Sequence, residues 1–166
     1  IQTGNPGIFA ETLLQVMQKH TVNIPGSTVH LPDVSLFDHL KTTAAFTVNL
    51  YDYNKAVKNN DIGKSEPPVL LVGGDISGIQ KFIYDIISKY AAKNLKGRSF
   101  YLQLLVESVI RHILKALNLY DGNIVYSSGG KFYLLAPNTR YVTEKLSSLE
   151  KKDQQEYLRD SPGKFV

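Results

Sequence analysis

At 166 residues, 43% hydrophobic and 20% charged, the chain is long enough for one packed core and too apolar for a disordered tract. It has no cysteine, which excludes disulfide staples, cysteine-ligated zinc and thiol nucleophiles and points to a reducing, cytoplasmic setting. A net charge of +4 favours polyanionic partners, nucleotide or nucleic acid, without selecting one.

No apolar run approaches the ~20 residues that span a bilayer, and the opening residues do not read as a signal sequence, so no membrane partner is expected. The chain opens on Ile1 instead of Met and reads as a piece of something longer. Residues 1–7 read as loop, and Phe9, Leu13, Val16 and Met17 then recur at helical spacing over 8–20. After the Pro-punctuated NIPGSTVHLPD the helical pattern returns over 35–52, with Phe37, Leu40, Ala44, Val48 and Tyr51. Ser35 and Asp38 open it as a capping box. Two helices without a strand cannot enclose a core and must lean on something else. NKAVKNNDIGKSEPP, residues 54–68, is nearly devoid of apolar content and reads as a linker. The predicted division is therefore a helical segment, 1–60, and a second domain, 61–166.

The second domain opens with VLLVGGDISGIQ at 69–80. A buried-strand run, Val69 to Val72, meets Gly73-Gly74-Asp75 and hands over to a helix with Ile79, Phe82, Ile83, Ile86, Ile87 and Tyr90 on its apolar positions. Ser77 and Gln80 read as the capping box of that helix. KNLKGRS, 93–99, is predicted to break the pattern before a longer helix over 99–119. Its buried stripe would be Leu102, Leu105, Val106, Val109, Ile113 and Leu117, and its wet face Gln103, Glu107 and Arg111. Asp121-Gly122-Asn123 turns the chain into a hairpin, 124–126 and 132–136, joined by Ser127-Ser128-Gly129-Gly130-Lys131. Asn138 or Thr139 then caps a helix built on Val142, Leu146, Leu149 and Tyr157, and Lys164-Phe165-Val166 begins a last strand. From residue 69 the order is that of an α+β, ferredoxin-like βαββαβ domain with one helix doubled, preceded by a short all-α segment.

Candidate chemistry sits at two corners of this plan. Asp75 leaves its strand beside an open helix N-terminus; it is either a metal or nucleotide ligand or a helix-entry acid favoured by the dipole. Ser77 and Gln80 are caps first and nucleotide contacts second, with the N–H groups of Gly78 and Ile79 as phosphate donors. Ser127, Ser128, Gly129 and Gly130 either close a hairpin or let backbone approach a ligand while two hydroxyls offer donors. Lys131 reads equally as a phosphate counter-charge and as a solvated turn lysine. Arg98 contacts phosphate or pins the join between helices, the structural reading being favoured. Metal at His39 is the weaker suggestion, because Asp38 already has a capping role and His20, His30 and His112 lie at no ligand spacing.

The phrases GDISGIQKFIY, LKGRSFYLQLL and VYSSGGKFYLLAPNT, in this order, resemble the first palm (cyclase-like) domain of the large signature subunit of type III-A CRISPR effector complexes. DVSLFDHLKTTAAF resembles the end of the HD nuclease domain that precedes that palm. The resemblance spans about residues 8–166. It implies a role in antiviral defence, with ATP as substrate for cyclic oligoadenylates made once target RNA is bound. Mg or Mn would be held mainly by a second palm, which carries a Gly-Gly-Asp-Asp turn. Implied partners are that second palm of the same subunit, other effector subunits, and guide and target RNA. In this chain the corresponding turn is Gly129-Gly130-Lys131-Phe132, with Lys and Phe where carboxylates would stand. A two-metal site needs anionic ligands from both sides, so the fragment alone is expected to be inactive, with no catalytic residue of its own. A second reading makes it a scaffold palm with a vestigial nucleotide corner. A third is a free-standing diguanylate-cyclase-like module suggested by Gly73-Gly74-Asp75. It is disfavoured because that triplet ends the first strand and Ile76 replaces the next acid.

Overall fold

The computed structural model describes residues 5–29, 31–59, 67–84 and 91–160. Helix α1 is Pro6–Thr21, two residues longer at its start than the apolar pattern suggests, because Asn5 accepts from the Gly7 N–H at 2.9 Å and Pro6 occupies the first turn. None of its residues is buried. Helix α2 is Leu36–Lys58. Ser35 caps it as expected, accepting from the Asp38 N–H at 3.0 Å and donating its hydroxyl to the Asp38 carboxylate at 2.7 Å. The predicted linker gives way here, since α2 runs on through Lys55, Ala56, Val57 and Lys58. Alanine and lysine are good helix formers, the lysines suit the negative end of the dipole, and buried Tyr53 anchors the preceding turn.

Strands β1 (Val69–Asp75), β2 (Ile124–Ser128) and β3 (Lys131–Pro137) form one antiparallel sheet in the order β1-β3-β2. The chain is thus a mixed α/β structure, with three strands and five α-helices among the described residues. The central strand packs on both faces. Phe132, Leu134 and Ala136 point to one side and join Val106, Ile110, Leu114 and Leu117 of helix α4 (Ala91–Leu117) and Val142 of helix α5 (Arg140–Asp160) in a single core. Burying a leucine as completely as Leu134 contributes ~1.5–3 kcal/mol. Leu135, out of phase with these, is buried on the other side, where α2 lies against β3 and β1.

Close approach decides one glycine. A side chain at Gly74 would overlap the Phe132 ring, its partner across the sheet, so glycine lets that ring lie flat over the neighbouring strand.

The helix after β1 departs from expectation. Helix α3 is Ile79–Tyr84, and Gly78, at φ 77°, accepts the first helical hydrogen bond on its carbonyl from the Phe82 N–H at 3.0 Å. A Ser77–Gln80 capping box would require Gly78 to be the first helical residue, which a positive φ forbids. The expected break over KNLKGRS is also absent: α4 begins at Ala91 and passes straight through Gly97. A single exposed glycine costs a helix only about 1 kcal/mol, which the long buried stripe offsets. Leu105 falls off that stripe and is 37% exposed, while Ile110 and Leu114 are on it. Helix α4 ends in a Schellman pair, Leu119 N–H to Leu114 carbonyl at 2.8 Å and Asn118 N–H to Lys115 carbonyl at 3.3 Å, with Asn118 left-handed at φ 57°. Asp121–Asn123 forms one 3-10 turn leading into β2.

Thr139, not Asn138, caps α5, its hydroxyl accepting from Val142 N–H at 3.3 Å. Asn138 is spent on holding the entry to β1, donating its backbone N–H to the Pro68 carbonyl and its side-chain amide to that of Pro67. The expectations for His30, Ile86, Ile87, Tyr90 and residues 164–166, and for the Tyr157 side chain, lie outside the described residues.

Candidate nucleotide site

The two corners meet. Asp75 stands directly opposite Lys131 in the β1–β3 register, and the Ile76 N–H donates to the Gly130 carbonyl at 3.0 Å. The hairpin is tighter than its sequence suggests: Ser127, Ser128 and Lys131 belong to the strands, and only Gly129 and Gly130 turn, at φ 61° and 87°. Two successive left-handed residues give the turn whose twist matches the flanking strands. Gly130 has a second constraint, since any side chain there would collide with Ile79. Glycine therefore lets the start of α3 close over the hairpin.

Beneath this contact lies an open cavity of about 580 Å³, within the range of small-molecule sites. Its floor is Ser127, Ser128, Gly129 and Gly130, and Ile79 and Ile83 of α3 form one side. The opposite wall is a stripe of α4, with Ser99, Gln103, Glu107 and Arg111 one helical turn apart, and Asp121 closes the end. Arg111 holds the Glu107 carboxylate in a fork, at 3.2 Å from Nε and 3.0 Å from an Nη atom. That bond, with Asp121 nearby, raises the guanidinium above its usual pKa and keeps it cationic at any working pH.

Of the eleven predicted site residues, five line the cavity: Ile79, Ser127, Ser128, Gly129 and Gly130. Asp75 and Lys131 sit on the opposite face of the sheet, pairing at 3.7 Å with each side chain about 60% exposed, an interaction contributing no more than about 1 kcal/mol. Ser77 and Gly78 are on the exposed turn before α3, Gln80 is exposed in the first turn of α3, and none of the three lines the cavity. Arg98 turns to α3, donating to the Phe82 carbonyl and stacking 5.2 Å over the Phe82 ring, so it pins the two helices as favoured.

The sequence pattern reads Gln103, Glu107 and Arg111 of the α4 wall as a solvated face. The wall's only sequence signal is a run of uncharged polar and paired charged residues at i, i+4 spacing, indistinguishable from an ordinary wet stripe until the hairpin is known to lie across from it.

The residues present do not form a metal site. Among those described, no three His, Cys, Asp or Glu side chains come together. The one carboxylate at the β1 exit faces a lysine, Glu107 is held by Arg111, and Asp38 beside His39 receives the Ser35 hydroxyl. No helix of the described residues is long and apolar enough to cross a membrane.

Comparison with known proteins gives one answer. Residues 68–165 match the family model of the Csm1 subunit domain B. The chain is 43% identical to the CRISPR system single-strand-specific deoxyribonuclease Cas10/Csm1 (subtype III-A) of Methanocaldococcus jannaschii, over 76% of this chain and 19% of that protein. The crystal structure of Csm1 from T. onnurineus superposes with a TM-score of 0.75 at 31% identity, covering 90% of this chain and 21% of that one. A Csm1–Csm4 cassette in complex with AMPPNP gives a TM-score of 0.72 at 32% identity, over 90% of this chain and 20% of that one. The chain thus spans about a fifth of the length of the relatives it matches. With the two-glycine hairpin, the strand order and these similarities in agreement, the chain belongs to the Cas10/Csm1 family of type III-A CRISPR systems.

Proposed function

We propose that this chain supplies the non-catalytic half of an ATP-binding palm pair that makes cyclic oligoadenylates in antiviral defence. The carrying observation is the cavity floored by Ser127-Ser128-Gly129-Gly130: bare turn backbone and, by the strand register, the Ser127 side chain face the α4 wall across a space of nucleotide size. Similar cassette structures were solved with one ATP and with cA4, which supports the same ligand class here. The β1-β3-β2 order agrees with that of the first three strands of a ferredoxin-like palm, which supports this reading. The family match beginning at residue 68 supports a palm over 61–166, with 1–60 as the end of an HD-like segment. Other type III-A subunits, a second palm, and guide and target RNA remain the proposed partners, in the cytoplasm.

In this reading the chain binds and orients, and does no bond-making. The turn N–H groups, the Ser127 hydroxyl and the Ser128 backbone hold phosphate or ribose, while Lys131, across the sheet and paired with Asp75, supplies only longer-range positive charge. Ser77, Gly78 and Gln80 lie exposed outside the cavity and Asp75 is on the opposite face of the sheet, so in this reading they are left available to the second palm. No metal is assigned to this chain, because among the described residues no three His, Cys, Asp or Glu side chains gather; Mg or Mn is assigned to the second palm. Titration of Mg-ATP into the chain joined to its second palm tests the assignment. Replacing Ser127 and Ser128 by Ala should weaken binding about tenfold, or 1.4 kcal/mol, and lower oligoadenylate output. Unchanged affinity and output would refute it.

One observation favours the scaffold alternative: Lys131 stands where an active turn would place an acid, and similar structures are of Csm1 bound to Csm4. On that reading, cavity variants assemble and signal as the unaltered protein does.

A further inference from the structure

The cavity is built on the 3-10 turn Asp121–Asn123 as much as on the hairpin, and that turn is held from outside the palm. Asn123 is 3% exposed and uses its whole side chain. Its amide nitrogen donates to the Leu135 carbonyl of β3 at 2.8 Å and to Oδ1 of Asn49 on α2 at 3.2 Å, and its oxygen accepts from the Tyr120 N–H at 3.3 Å. Asn49 is completely buried, 74 residues away in sequence. Two residues before Asn123 stands Asp121, which closes the cavity, and the next residue, Ile124, lines it and starts the strand that carries Ser127 and Ser128.

Asn49 is an expensive way to fill that space. Its Nδ2 has no hydrogen-bond partner in the described structure, so a buried donor is left unsatisfied where leucine would pack without that penalty. A buried amide of this kind is best explained by what it specifies: a leucine could slide along the sheet, whereas Oδ1 fixes one register of α2 against the turn. We infer that Asn49 is a positioning residue for the nucleotide cavity, acting through Asn123 to set Asp121 and the β2 strand from the helical segment. The inference rests on the nucleotide reading for its consequence, and on the two amides for its geometry.

Two measurements separate those dependencies. Hydrogen exchange of the 121–124 and 127–130 amides, without ligand, reads the geometry; Mg-ATP titration reads the consequence. In Asn49→Leu, exchange at both stretches should rise at least fivefold over that of the distant α5 amides, and ATP affinity should fall three- to tenfold. Asn49→Ser, too short to reach Asn123, carries the same expectations should the leucine variant aggregate. In a double-mutant cycle with Asn123→Ala, Asn49→Leu should raise exchange at 127–130 no further than Asn123→Ala alone does, a coupling that a simple packing role would not give. Exchange raised uniformly through the sheet, or unchanged at 127–130, would overturn the inference. Loss of the ATP effect in a protein that binds ATP normally would do the same. If the unaltered protein binds no ATP, the nucleotide reading fails and the exchange result alone decides the link.

Discussion

The chain contains two Gly-Gly corners that read alike and are built for different ends. Gly73-Gly74-Asp75 closes β1 and Gly129-Gly130-Lys131 turns the hairpin, and the register sets the acid of one against the lysine of the other. At the first corner glycine serves packing: Gly74 makes room for the Phe132 ring, at an ordinary strand geometry. At the second it serves conformation and access, with two left-handed residues and α3 closing to contact distance over Gly130. The second corner floors the cavity described above, which the first does not line. The same dipeptide thus marks a filled space in one place and an open one in the other, and what differs is the neighbour across the sheet.

Substitutions can break that contrast, and the largest effect is expected at the hairpin. Gly130→Ala adds a left-handed strain of ~1–2 kcal/mol to a collision with Ile79 worth ~1–3 kcal/mol, so urea unfolding should show a loss of about 2–5 kcal/mol. Shortening Ile79 to Ala in the same chain should relieve the collision and leave the strain. Gly74→Ala carries the collision alone and should cost ~1–3 kcal/mol. Combining it with Phe132→Leu should cost less than the two changes summed, by about 1 kcal/mol in a double-mutant cycle. Strict additivity would show that Gly74 is not there for the ring.

Away from both corners, Lys41 provides a contrast in electrostatics. Burial lowers its pKa below the usual 10.5, partly offset by Asp38 and Asp121, and its ammonium lies 5.8 Å from the Phe37 ring centre. The folded protein therefore releases this proton more readily than the unfolded chain does. The destabilisation is present in full at neutral pH and fades as pH rises through the folded pKa toward 10.5. Lys41→Met should raise the melting temperature by about 1–3 °C at pH 7, with the gain shrinking at pH 10. The smallest effect is expected at the exposed pair: Asp75→Asn should change stability by less than about 1 kcal/mol and lose even that in high salt. It should also strengthen ATP binding slightly by freeing Lys131, whereas weaker binding would make Asp75 a ligand and erase the contrast between the corners.

Local chemistry carried far in this chain. Ser35 and Thr139 announce their helices because a hydroxyl before an apolar period has few other uses, and Gly129-Gly130 between two β-rich runs admits one kind of turn. Where prediction failed, a distant contact outweighed a local signal. The end of α2 looked like linker until buried Tyr53 is seen, Gly97 looked like a break until the α4 stripe is seen, and Ser77 looked like a cap until Gly78 is found left-handed. The α4 wall was invisible because polar residues that face a cavity and polar residues that face water have the same spacing.

The order of residues by itself determined the hairpin, the strand run before Asp75, the lysine in place of an acid, and the family. These follow from periodicity, turn conformation and side-chain charge, which act over a few neighbours. Tertiary structure alone decided that Ser99, Gln103 and Arg111 share a cavity with the hairpin, that Arg98 does not, and that Asn49 reaches Asn123. Such contacts join residues tens of positions apart, and no local rule fixes them: they exist only once β3 has buried both its faces and drawn α2 and α4 to opposite sides of one sheet.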